Sequence, residues 1–290
     1  MDEFRSHQVQ CLSPAGLHRM HYREWGDAAN PRVLVCVHGL TRCGRDFDHL
    51  ARALSVHWRV VCPDVVGRGD SDWLRDPAHY RVPQYVADMV ALIARLGVPE
   101  VDWLGTSMGG LIGIGLAGLP EAPVRRLILN DVGPSLELAG LQRIAEYVGR
   151  APRFAGFEEA LEYVRGTSPG FGLRHEAQWR ELTASVVRPD GRGYVFAYDP
   201  AISIPMRALG AAEAALGENL LWGLYDAILA PTLLIRGAQS DLLSEATAEM
   251  MTLRGPRAQR VDLEGVGHAP MFFDADQIEV VRRFLERAPI

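Results

Sequence analysis

No lysine occurs anywhere in the 290 residues, so all 30 basic side chains are arginine. That absence excludes chemistry that needs a side-chain amine: a Schiff-base lysine for pyridoxal phosphate or an aldolase, and the lysine of a phosphate-binding P-loop. Cysteine is sparse. Cys11, Cys36, Cys43 and Cys62 form no CxxC pair, and Cys36 and Cys62 fall inside apolar runs where buried, reduced thiols are expected. Long apolar runs are missing as well. None approaches the roughly 18 residues of a membrane-spanning helix, and the N-terminal MDEFRSHQVQ has no apolar signal core. A soluble, cytoplasmic protein with no membrane partner is expected. A net charge of −6 does not attract a phosphate backbone, so nucleic acid is not an expected partner either.

What is present is a large apolar fraction, 48%, enough for one large core or a core plus an inserted subdomain. Short branched runs alternate with helical patterns. The predicted strands are VLVCV (33–37), WRVVCP (58–63), VDWLG (101–105), RLILND (126–131), TLLIRG (232–237) and QRVDL (259–263), with two earlier ones near Gln8–Leu12 and Leu17–Trp25. Continuous apolar strands suit a parallel sheet covered on both faces. Val86, Met89, Val90, Ile93 and Leu96 recur at helical spacing, as do Ile278, Val281 and Leu285. Gly97 suits a helix C-terminus and Ser244 an N-cap. The class is α/β, doubly wound. About a hundred residues separate RLILND from TLLIRG, too many for a simple crossover. They are expected to form a helical cap over 134–226, inserted into a core of 1–133 and 227–290, with helices near Leu136–Val148 and Phe157–Arg165.

The segment GTSMG, Gly105 to Gly109, places a serine between a predicted strand and a predicted helix. A sharp turn there lifts the hydroxyl clear of the sheet, and the flanking glycines let the two backbones pass closely. The helix N-terminus aims free amides and a positive dipole end at Ser107. A hydroxyl becomes a useful nucleophile only when a base takes its proton. Of nine histidines, His268 in GVGHAP follows the last predicted strand, at a C-terminal strand end where ligand sites gather. The base needs a carboxylate to fix its tautomer. Asp241 in RGAQSD and Asp131 in RLILND both satisfy the order serine, acid, histidine. Asp241 is the expected acid, since it follows the penultimate strand with a short loop free to turn toward His268. Asp131 is the other candidate, with a hinge or helix-capping role as its alternative. Two amides must face the developing oxyanion. Met108 supplies one, and Leu40, in the loop HGLTRCGRDF, the other. His38 reads as a hydrogen-bonding residue beside that pocket, with a second base as its alternative. His38, Trp179, Trp222 and Met271 are candidate pocket residues, with core packing the alternative for Met271.

Two further signals are set aside. GIGLAG, Gly113 to Gly118, matches G-x-G-x-x-G but falls inside the predicted helix, where it cannot form a dinucleotide turn. No H-E-x-x-H occurs, and Cys36 with His38 lacks a partner set, so no catalytic metal is expected.

HGL after a strand, DVVGRGDSD, GTSMGG, RGAQSD and GVGHAP together are similar to motifs of the α/β-hydrolase superfamily, in its order and over nearly the whole chain. The chain most resembles the bacterial serine esterase and lactonase branch. The resemblance implies an eight-stranded, mostly parallel sheet with the second strand antiparallel, and it favours Asp241 as the acid with Leu40 and Met108 as oxyanion donors. Ser107 departs from dehalogenases and epoxide hydrolases, which carry aspartate there, and HGL lacks the HGGG form of many lipases. The expected function is cofactor-free hydrolysis of a small carboxylic ester or lactone through an acyl-enzyme. The rivals are carbon–carbon hydrolysis of a vinylogous diketone and ligand reception on the same fold.

Overall fold

Apolar runs too short to be helices become the strands of the sheet, and their order in it sets where the site lies. The computed structural model describes residues 4–208 and 210–287. In chain order the strands are β1 (Phe4–Ser13), β2 (Gly16–Trp25), β3 (Val33–Val37), β4 (Arg59–Pro63), β5 (Val101–Thr106), β6 (Val124–Asn130), β7 (Arg153–Phe154), β8 (Val187–Asp190), β9 (Gly193–Phe196), β10 (Thr232–Gly237) and β11 (Gln259–Leu263). The helices are α1 (Asp48–Leu54), α2 (Val82–Leu96), α3 (Met108–Ala117), α4 (Leu138–Tyr147), α5 (Phe157–Thr167), α6 (Glu176–Val186), α7 (Ser203–Arg207), α8 (Ala211–Asp226), α9 (Glu245–Leu253) and α10 (Ala275–Glu286). Eight strands form one sheet in the order β1-β2-β4-β3-β5-β6-β10-β11. β2 runs antiparallel to both of its neighbours, and the pairs from β4 to β11 are parallel. This is the expected doubly wound α/β class with its antiparallel second strand.

The strand period of two sends alternate side chains to opposite faces. Val35, Val37, Trp103, Leu127 and Leu129 join a core with α2 and α3. Leu34, Cys36, Leu104, Ile128 and Ile235 join a second core with α1 and α10. Both faces are thus covered, which is why the central strands read as unbroken apolar runs. Each such fully buried aliphatic side chain contributes roughly 1.5–3 kcal/mol. Local signals agree. Gly97 ends α2 at φ 71°, and the Ser244 hydroxyl accepts from the Thr247 amide at the start of α9.

The long connection between β6 and β10 holds α4 to α8, and it also holds a small antiparallel sheet, β7-β9-β8, that the helical reading of 134–226 did not include. Phe154, Val164, Leu182 and Val186 pack there with Met271 of the main body. α8 belongs elsewhere: a side chain at Gly118, just after α3, would lie 2.5 Å from the Leu224 carbonyl oxygen, so α8 is pressed onto the body. Among the described residues no helix is long and apolar enough to cross a membrane.

Candidate active site

β5 ends at Thr106 in the middle of the sheet, and α3 starts at Met108. Ser107 between them adopts φ 51°, ψ −115°, a conformation that L residues rarely occupy. Strain of this kind costs of order 1–3 kcal/mol and persists where the surroundings enforce it. Here they do. A Cβ at Gly105 would lie 2.2 Å from the Gly109 carbonyl oxygen, and one at Gly109 would lie 2.0 Å from that of Val37. Only glycine lets strand and helix approach this closely, so the turn stays sharp and the hydroxyl stands above the sheet.

His268 lies in the loop after β11 and is buried. The Ser107 hydroxyl donates to its Nε2 at 3.0 Å, and its Nδ1 donates to Asp131 Oδ2 at 2.7 Å. The carboxylate on His268 is therefore Asp131, and the expectation of Asp241 is corrected. Asp131 follows β6, the neighbour of the serine strand, and is wholly buried. It also accepts from the Gly237 amide at 2.9 Å and the Ser240 hydroxyl at 2.6 Å. Asp241 is partly exposed and bound by Arg143 of α4, at 2.5 and 2.8 Å. Those hydrogen bonds from Arg143 hold it below the usual carboxylate range. Chain order could not separate the two acids. The missed signal is position: Asp131 directly follows β6, whereas Asp241 lies four residues beyond the end of β10.

Near the serine, Met108 is the first residue of α3, and its amide has no intrahelical partner. The Gly39–Leu40 peptide is fixed through its carbonyl, which accepts from His38 Nδ1 at 2.7 Å and from the Arg42 amide at 3.2 Å. A trans peptide turns the Leu40 N–H to the opposite side. His38 Nε2 in turn accepts from the Val65 amide at 2.9 Å. His38 is thus a buried loop anchor, as the first of its two readings had it, and it does not line the cleft, which corrects its place among the pocket residues.

Burial pushes the His38 imidazole down to about 4. A base with a folded value below its unfolded one contributes stability that is present above about pH 6.5 and lost as pH falls toward 4. This group alone should cost about 2 kcal/mol between pH 7 and pH 5. Urea unfolding at both pH values should show His38→Gln less stable at pH 7 but losing about 2 kcal/mol less on acidification. Parallel losses in the two proteins would reject the assignment.

A cleft open to solvent lies over Ser107. Its wall includes Ile144 and Tyr147 of α4, Val164 of α5, Phe171, Val186 and Met271. Met271 serves both of its readings, lining the cleft and packing in the core of the connection. Trp179 and Trp222 do not line it, which corrects their assignment. Trp179 packs among the apolar residues of α5 and α6. Trp222 donates to the Ser135 hydroxyl at 2.8 Å and lies under Arg254. Arg42 and Arg143, which the sequence reading passed over, are in the wall, each on its own aspartate, Asp46 and Asp241. The cover also touches the histidine loop directly, since the Gly267 amide donates to the Gly170 carbonyl at 2.7 Å.

A serine, a histidine and an aspartate meet a second time. The Ser6 hydroxyl lies 2.7 Å from His21 Nε2, and His21 Nδ1 lies 2.8 Å from Asp64. Ser6 sits on the exposed edge strand β1, with no helix starting beside it to supply oxyanion donors. Three matching residues therefore do not by themselves make a site.

Residues 32–275 match the family model described as the alpha/beta hydrolase fold. The chain belongs to that family and is a hydrolase of the α/β type. It is 55% identical over 284 residues to the 3-hydroxybutyrate-oligomer hydrolase of Cupriavidus necator, covering 97% of each chain. It is 29% identical over 273 residues to a pimeloyl-[acyl-carrier protein] methyl ester esterase of Xanthomonas campestris, covering 89% of this chain and 96% of that one. The crystal structure of an alpha/beta hydrolase from Novosphingobium aromaticivorans superimposes with a TM-score of 0.86 at 35% identity, over 99% of this chain and 100% of that one.

Proposed function

We propose that this chain is a serine hydrolase of carboxylic esters acting through an acyl-enzyme at Ser107. The observation that carries the reading is the continuous hydrogen-bond chain Ser107–His268–Asp131 at the N-terminus of α3. Ser107 attacks the ester carbonyl and its proton passes to His268 Nε2. The buried Asp131 carboxylate holds the ring and stabilises the resulting imidazolium. The amides of Leu40 and Met108 receive the oxyanion. The intermediate collapses and the alcohol leaves with the proton from His268. Water, deprotonated by the same ring, then releases the acid and restores Ser107. These steps need no cofactor. We read 1–133 and 227–290 as the catalytic core, covered by α4 to α6 and the small sheet.

The Cupriavidus relative supports linear oligoesters of a short 3-hydroxy acid as substrates, with the 3-hydroxyl of the next unit as leaving group. The largely apolar wall around Ile144, Val164, Phe171 and Val186 suits such short acyl units. A fluorophosphonate label and release of monomer from 3-hydroxybutyrate trimer test both parts. The label should map to Ser107, and labelling should abolish monomer release. Label on another residue, or hydrolysis that survives complete labelling, rejects the mechanism. An intact trimer alongside cleaved p-nitrophenyl butyrate rejects the substrate alone.

A further inference from the structure

Arg68, in the turn after β4, is wholly buried. A buried guanidinium ordinarily meets a carboxylate, because an unpaired charge is strongly disfavoured out of water. Among the described residues no ion pair includes Arg68. The acids of this region are committed elsewhere. Asp64 holds His21 and the amides of Gly44 and Asp70. Asp199 accepts from Tyr80, and Asp46 holds Arg42. Arg68 is satisfied by neutral groups instead. Its Nε donates to the Leu40 carbonyl at 2.8 Å, and Nη1 to the Val66 carbonyl at 2.7 Å and the Tyr85 hydroxyl at 3.0 Å. Nη2 donates to Met108 Sδ at 3.5 Å. The rings of Tyr80 and Tyr85 lie 5.6 and 5.1 Å from its guanidinium carbon.

Two of these four partners, Leu40 and Met108, are the residues whose amides receive the oxyanion in the mechanism above. They come from different parts of the chain, the loop after β3 and the first turn of α3, and one side chain reaches both. We propose that Arg68 is a positioning residue of the oxyanion pocket, tying Leu40 to Met108 while its uncompensated positive charge favours the anionic tetrahedral intermediate over the neutral ester. The inference rests on the reading of Ser107 as nucleophile. It has a clear physical basis. A fixed charge in a water-poor site needs no reorganisation as the oxyanion forms, and its field there is weakly screened. A neighbouring carboxylate would cancel that field, and none is within ion-pair reach.

The test compares Arg68→Met and Arg68→Lys with the unaltered protein. A trifluoromethyl ketone that adds to the serine as a charged hemiketal reports on the anion, KM for a neutral ester reports on the ground state, and melting temperature reports on folding. Arg68→Met should lower kcat and ketone affinity together by roughly 10- to 100-fold, with KM moved less than about threefold. Arg68→Lys, which keeps the charge and loses the fork, should recover part of both losses. Should Arg68→Met fail to fold, Arg68→Lys decides by the same split between ketone affinity and KM. Ketone affinity equal to the unaltered protein's in the folded variants, or a loss shared equally by KM, overturns the inference and leaves the acyl-enzyme reading standing. A ketone that does not bind even the unaltered protein overturns that reading, and this inference with it.

Discussion

Asp131→Asn should lower kcat by roughly 10³- to 10⁴-fold, whereas Asp241→Asn should cost less than about tenfold on an uncharged ester. An asparagine fits the Asp131 site, but its amide can donate to His268 Nδ1 where the carboxylate could only accept. That favours the tautomer with hydrogen on Nε2, which cannot take the serine proton. It also removes the negative charge that stabilises the imidazolium. The Gly237 amide donates to the other oxygen, Oδ1, which the asparagine carbonyl can replace, and the Ser240 hydroxyl can turn to accept from the new NH2, so the loss should appear in kcat rather than in folding. Asp241→Asn instead weakens a partly exposed pair with Arg143. Such pairs contribute about 0–1 kcal/mol, and the melting temperature should fall only slightly. Steady-state kinetics on p-nitrophenyl butyrate with both variants checks this. A greater loss from Asp241→Asn would return that residue to the role first expected of it.

Ser107→Ala should lower kcat by about 10⁶-fold, remove the burst of alcohol release, and abolish phosphonate labelling. Its melting temperature should stay close to that of the unaltered protein. Alanine meets the same backbone strain at φ 51° as serine does, and the hydroxyl is partly exposed in the cleft. Any residual hydrolysis comes from the oxyanion donors and from binding alone. Rapid-mixing kinetics with equal concentrations of folded protein measures both quantities. Retained burst kinetics would place the acyl group on another side chain.

The sequence carried the frame because its signals there are local. VLVCV is β3 residue for residue, TLLIRG is β10, and Gly97 and Ser244 end and begin helices as expected. The serine turn was equally local, since Gly105 and Gly109 answer steric demands within a few residues of Ser107. The acid was not local. Asp131 and His268 are 137 positions apart, and what removes Asp241 from contention is Arg143, 98 positions away on a cover helix. Nothing in the order of residues reveals that pairing. The same limit applies to Trp179 and Trp222. Their aromatic character was visible, but where they face depends on how α6 packs within the cover and how α8 packs on the body. The strands β7 to β9, two to four residues long, are too short to leave a periodic pattern.

The hydrogen bond from Gly267 to Gly170 joins the roof of the cleft to the residue beside His268, the general base proposed above. A displacement of Gly170 would therefore be felt first at Gly267, one residue from His268.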